Sequence, residues 1–148
     1  MISLKNIVVA YDGSEQSKKT LDYACWFAAE SRAIIHIVLV LRLVPSSVLF
    51  GVENHGVDYS KTLGILAEKT IREKLSEARR FCEEKKLQVI AKAFFGNTVE
   101  EIINYAKLCQ ADMVICGTRG LGGFKGLLLG SVARELVTYS PVSVMVVK

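Results

Sequence analysis

The 148-residue chain has only two prolines, no Cys-x-x-Cys pair and no apolar run long enough to cross a bilayer. Each absence excludes a class. Few prolines, with 51% hydrophobic and 23% charged residues, exclude a disordered or low-complexity chain. The cysteines Cys25, Cys82, Cys109 and Cys116 have no histidine at zinc-ligand spacing. They read as small buried apolar residues, not as a metal site or a secreted disulfide framework. The longest apolar stretch, Ile34 to Val44, is interrupted by His36 and Arg42. Ile7 to Ala10 gives way to Tyr11-Asp12, too soon for a signal peptide. The expectation is a soluble protein in a reducing cytoplasm with no membrane partner. A net charge of +4, from 19 basic and 15 acidic residues, favours anionic ligands. It is too mild and scattered to form a nucleic-acid-binding face.

Several familiar signatures are missing as well. No GxxxxGK[ST] is present, so there is no Walker loop, and no tight GxGxxG follows the first apolar run. Gly123-Phe124-Lys125-Gly126 has the GxxG form of RNA-binding KH domains, but the order of elements around it is wrong. The third apolar run ends in Phe94-Phe95-Gly96, which offers no aspartate for a phosphorelay receiver.

What is there is a regular alternation. Ile7–Tyr11, Ile34–Leu41, Val89–Phe95, Met113–Gly117 and Val142–Val147 read as strands, continuously apolar as in a parallel sheet covered on both faces. Between them lie helical stripes. Leu21, Ala24, Cys25 and Ala28 form the first, opened by Ser14 or Ser17. The second is Leu63, Leu66, Ala67, Thr70, Ile71, Leu75, Ala78, Phe81 and Cys82. Val99, Ile102, Ile103 and Ala106 make a third, opened by Asn97 or Thr98, and a fourth follows Ser131. Strand alternating with helix predicts one doubly wound α/β domain over residues 1–148. The one long irregular stretch is 43–58.

The most informative segment is Gly117-Thr118-Arg119-Gly120, followed after nine residues by Gly130-Ser131. A strand, a glycine loop carrying a cation and a helix start together describe a phosphate cradle, because unpaired N–H groups and the positive dipole end favour an anion. Gly130 and Ser131 offer amides and a hydroxyl, although Ser131 would equally serve as a helix cap. Arg119 and Lys125 are the cations in reach. Asp12 ends a buried strand, where a carboxylate suits a ribose, a base edge or a divalent ion, or simply the turn Asp12-Gly13. Catalysis has little support: Gly117 to Ser131 contains no carboxylate or histidine, and His36, inside a strand, and His55, in the long loop, each read as structural or solvent-exposed.

These residues resemble a known family. Ile7-Val8-Val9-Ala10-Tyr11-Asp12-Gly13-Ser14, the Gly-x-x-Gly-x9-Gly-Ser spacing and Pro141-Val142 before a last strand are similar to the universal stress proteins, in their ATP-binding branch. The resemblance runs nearly end to end. It implies a five-stranded parallel sheet in the order 3-2-1-4-5, with helices on both faces. It places Ala10, Asp12 and Val40 on the adenosine side and Cys116 and Gly117 near the ribose. It gives Arg119, Gly120, Gly130, Ser131 and Val132 to the phosphates, with magnesium or manganese held through those phosphates and water. It also implies a homodimer through strand 142–147, which suits an apolar edge that would otherwise be a liability. Tyr11 is bulkier than the residue common before that aspartate, which points to a crowded base pocket. The expected function is that of an ATP-binding stress-response or signalling protein with further protein partners. The alternatives are a slow ATP hydrolase and a dimeric scaffold with a vestigial loop.

Overall fold

Continuously apolar strands need both faces of their sheet covered, and the computed structural model shows this for the residues it describes, 3–42, 59–120 and 128–148. The elements run β1 (Asn6–Ala10), α1 (Glu15–Ser31), β2 (Ile34–Leu41), α2 (Tyr59–Glu84), β3 (Val89–Phe95), α3 (Thr98–Leu108), β4 (Met113–Gly117), α4 (Ser131–Tyr139) and β5 (Ser143–Val147). All five strands are parallel, in the order β3-β2-β1-β4-β5. The chain winds from β1 to β3 in one direction, then returns across β1 to β4. That reversal opens a crevice beyond the C-terminal ends of β1 and β4, where ligands bind in sheets of this kind.

Period-two alternation sorts the core. Ile7, Val9, Ile35, Ile37 and Leu39 pack with Leu21, Ala24 and Ala28 of α1 and Ala78 and Cys82 of α2. Val8, Val38 and Val114 pack on the other face with Val99, Ile102 and Ala106 of α3 and Ala133 and Leu136 of α4. Each large side chain so buried contributes about 1.5–3 kcal/mol. Cys25 and Cys82 meet at 3.7 Å between α1 and α2, and all four thiols are free, with Cys109 the one only half-buried.

Some expected boundaries move. Tyr11 lies past β1, although its N–H still bonds the Val38 carbonyl at 2.9 Å. Val142 lies before β5, because its N–H is held by the Ser140 hydroxyl at 3.2 Å in a local turn. In α2 the buried row narrows to Ala78 and Cys82, with Ile71 and Leu75 packed alongside. Leu66 is exposed, and so is Thr70. The reason is geometric: Lys74 already reaches the Asp12 carbonyl at the C-terminal end of β1, so earlier turns of α2 extend past the sheet. The Leu63 side chain and residues 43–58 lie outside the described set.

His36 carries a stability prediction. It is buried in β2, with Nδ1 3.0 Å from the Tyr105 hydroxyl and Nε2 3.1 Å from Asn6 Oδ1. Asn6 Oδ1 only accepts, so Nε2 donates and Nδ1 accepts from Tyr105; the neutral ring satisfies both. Burial holds the His36 pKa below its ordinary value. The unfolded chain therefore binds the extra proton first, and stability falls as pH drops below about 6.5. The melting temperature is expected to decline between about pH 7 and 5.5, and His36→Gln should flatten that slope at a lower starting stability. An equal slope in both proteins would contradict this role for His36.

Candidate functional site

β1 leads into a turn that fixes Asp12. Its Oδ1 accepts the Ser14 N–H at 2.9 Å, and its carbonyl accepts from Lys74 Nζ at 2.8 Å. Gly13 sits at φ +83, where other side chains are strained, and a Cβ there would fall 2.9 Å from the Lys74 stem. Ser14 then caps α1 by accepting from Ser17 N–H.

β4 leaves the sheet beside that turn. Thr118 N–H donates to the Val147 carbonyl at 3.0 Å, and the Thr118 carbonyl accepts from Gly130 N–H at 2.6 Å. This second bond draws the start of α4 back against the end of β4. Gly120 lies so near Asp12 that an added Cβ would be 2.5 Å from Oδ2. The glycine is thus what lets the loop close on the carboxylate.

The start of α4 differs from those of α1 and α3. Ser14 and Asn97 cap α1 and α3 with their side chains, whereas the N-cap of α4 is Gly130 and makes no side-chain bond. Ser131 is the first helical residue, not the cap, so its hydroxyl is not engaged in capping. The amides of Ser131, Val132 and Ala133 have no backbone acceptor among the described residues. They supply donors and the positive end of the helix dipole to the crevice.

The crevice is a cleft of about 560 Å³, within the range that holds small organic ligands. One wall is apolar: Ala10, Val38 and Val40 from β1 and β2, Ile102 from α3 and Val132 from α4. The rest of the lining includes Gly117 at the end of β4, Thr118, Arg119 and Gly120 after it, and Gly130 and Ser131. Cys116 lines the cleft too, and burial pushes its thiol up to about 11, so it stays neutral at ordinary pH. Asp12 completes the floor as the one carboxylate of the lining among the described residues.

The structure therefore brings Ala10, Asp12, Val40, Cys116, Gly117, Arg119, Gly120, Gly130, Ser131 and Val132 around a single cleft. Tyr11 also belongs to the cleft lining, but it is 3% exposed and packs among the α1 and α2 core residues. Burial, with Glu77 nearby, raises its hydroxyl pKa. Lys125, Gly122, Gly123, Gly126 and His55 lie outside the described residues.

Sequence reading missed Arg42, Thr98 and Arg134, which also line the cleft. Arg42 was legible as the next even position after Val38 and Val40, and Arg134 as the residue one turn beyond Ser131. Thr98 had no such signal, since its place depends on how β2 and β3 pair. Among the described residues no group of three His, Cys, Asp or Glu could hold a metal ion, and no helix is long and apolar enough to cross a membrane.

Comparison with known proteins agrees with this architecture. The model of the universal stress protein family matches residues 3–148. Universal stress protein YxiE of Bacillus subtilis is 32% identical over 147 residues, covering 96% of this chain and 97% of that protein. The structure of the universal stress protein UspA from Lactobacillus plantarum is similar at a TM-score of 0.80 and 18% identity, over 100% of both chains. The universal stress protein from Archaeoglobus fulgidus in complex with dAMP is similar at 0.67 and 18% identity, again over 100% of both.

Proposed function

This chain belongs to the universal stress protein family, and we propose that its cleft binds ATP as the ligand of a cytoplasmic stress-response or signalling protein. The observation that carries this reading is the start of α4, which no side chain caps and where the amides of Ser131, Val132 and Ala133 have no backbone acceptor among the described residues, lining a cleft that also has apolar residues. An anion and a flat apolar group joined at a ligand's length suit that pairing. In this reading the adenine rests on Ala10 and Val40, Asp12 serves the adenosine side, and the ribose lies near Cys116 and Gly117. The phosphates take the amides of Gly120, Ser131 and Val132 with the Arg119 guanidinium, while Gly130, whose own N–H is held by the Thr118 carbonyl rather than offered to the ligand as its position in the motif suggests, lets them approach the start of α4. The dAMP bound by the Archaeoglobus relative supports an adenine nucleotide as the ligand class.

Magnesium or manganese fits the same picture as an ion carried on the phosphates. Such an ion keeps several waters and needs few protein carboxylates, and Asp12 is the one carboxylate the described lining offers. Binding without turnover belongs to the same reading: the lining offers phosphate-positioning groups in Arg119 and the start of α4, and Asp12, its one carboxylate among the described residues, is assigned to the adenosine side. A homodimer through β5 belongs to the same proposal.

Calorimetric titration of nucleotide-stripped protein with ATP and magnesium tests it. One saturable site per chain is expected, with phosphate release staying at background under saturation. No binding at millimolar ATP would overturn the reading, and steady phosphate release would replace it with that of a hydrolase.

A further inference from the structure

Two arginines line the cleft that the glycine–serine motif does not supply, Arg42 and Arg134. Both are exposed, and neither belongs to an ion pair among the described residues. Together with Arg119 they set three guanidinium groups against the single carboxylate of Asp12 in that lining. A lone phosphate does not call for so much positive charge.

The two occupy different ends. Arg42 continues the row of Val38 and Val40 along β2, so it stands at the apolar end. Arg134 follows Ser131 by three residues in α4, which puts both on one helix face, about 4.5 Å apart along the axis. Helical side chains lean toward the helix N-terminus, so Arg134 leans toward the amides that begin α4. A guanidinium there meets the next anionic group out from one seated on those amides, and its planar fork suits phosphate oxygens.

Resting on the nucleotide reading above, we infer that Arg134 is a specificity residue that selects a nucleoside carrying a chain of phosphates over the corresponding monophosphate. Arg42, at the other end, adds attraction for any nucleotide without reading its phosphate number.

The test is to measure dissociation constants of ATP, ADP and AMP for the unaltered protein and for Arg134→Ala, Arg134→Lys and Arg42→Ala. Losing a charge-assisted contact should weaken ATP binding to Arg134→Ala by roughly ten- to thirtyfold, and AMP binding little. The preference for ATP should collapse, and Arg134→Lys should restore part of it. Arg42→Ala removes the same unit charge and should weaken ATP and AMP in similar proportion, keeping the preference. An unchanged preference in Arg134→Ala, or an equal shift in Arg42→Ala, overturns the inference while leaving nucleotide binding intact. Failure of the unaltered protein to bind any of the three removes the nucleotide reading, and this inference with it.

Discussion

Replacing Gly130 by aspartate is expected to abolish nucleotide binding while leaving the folded state about as stable as before. Gly130 has φ -69 and ψ 167, extended backbone open to any residue, so no strain bars the change. Aspartate is among the best N-cap residues, and its carboxylate would accept from the amides at the start of α4. Those are the donors proposed for the phosphates, so the side chain would occupy the cradle and bring a negative charge into it. The added Cβ falls 3.1 Å from the Thr118 carbonyl, which must yield by a few tenths of an ångström. Cap gained against contact tightened leaves a stability change within about 1 kcal/mol. Charge-assisted bonds are each worth about 1.5–3 kcal/mol, so losing two or more weakens binding by over roughly a hundredfold. Titration with ATP beside urea unfolding checks both halves. Gly130→Ala, which leaves the amides free, should bind better than Gly130→Asp; equal binding by Gly130→Asp and the unaltered protein would put the phosphates elsewhere.

The second large effect concerns assembly. β5 forms one edge of the sheet, paired only with β4 among the described strands. Its Val147 carbonyl points toward β4, since it accepts from Thr118 N–H. Successive residues of a parallel strand point their backbone groups to opposite sides, so Val144 and Val146 direct theirs outward. An open apolar edge of this kind is a template for a second chain. Val146→Pro deletes an outward N–H and spares the bonds to β4, a substitution that edge strands tolerate. The proposed dimer should become monomeric, measured by sedimentation at micromolar concentration, with an unchanged far-ultraviolet spectrum. A Val146→Pro dimer, or a monomeric unaltered protein, would contradict pairing through β5.

Much of the architecture was legible because the local signals agree. Val8 and Val9 or Ile37 and Val38 are apolar on both faces, as a covered parallel sheet requires. Asn97 announces α3, and its side chain caps Val99 and Glu100 as that position requires. The second helix was overread: periodicity marked Leu66 and Thr70 as core, but no sequence pattern tells where a helix outruns the sheet beneath it. For the cleft, Gly117, Arg119, Gly120, Gly130 and Ser131 were legible because glycines and a helix start are local features, and Asp12 because a carboxylate ends a buried strand, whereas Ala10, Val40, Cys116 and Val132 came only from the family resemblance. Arg42 and Arg134 were harder. Each is an ordinary exposed arginine until the order β3-β2-β1-β4-β5 brings β2 and α4 to the same crevice. The place of Ser131 turned on one residue of register: Gly130 is the N-cap, and the serine opens the helix without capping it.

Thermal unfolding of nucleotide-stripped protein, with and without magnesium-ATP and with AMP alongside, tests nucleotide binding most directly. Ligand at about a hundredfold its dissociation constant stabilises by roughly 2.7 kcal/mol, a rise on the order of 5–10 °C for a domain of this size. The expected result is that rise with ATP and a much smaller one with AMP at the same concentration. No rise at millimolar ATP would contradict the account and leave the α4 cradle without its ligand.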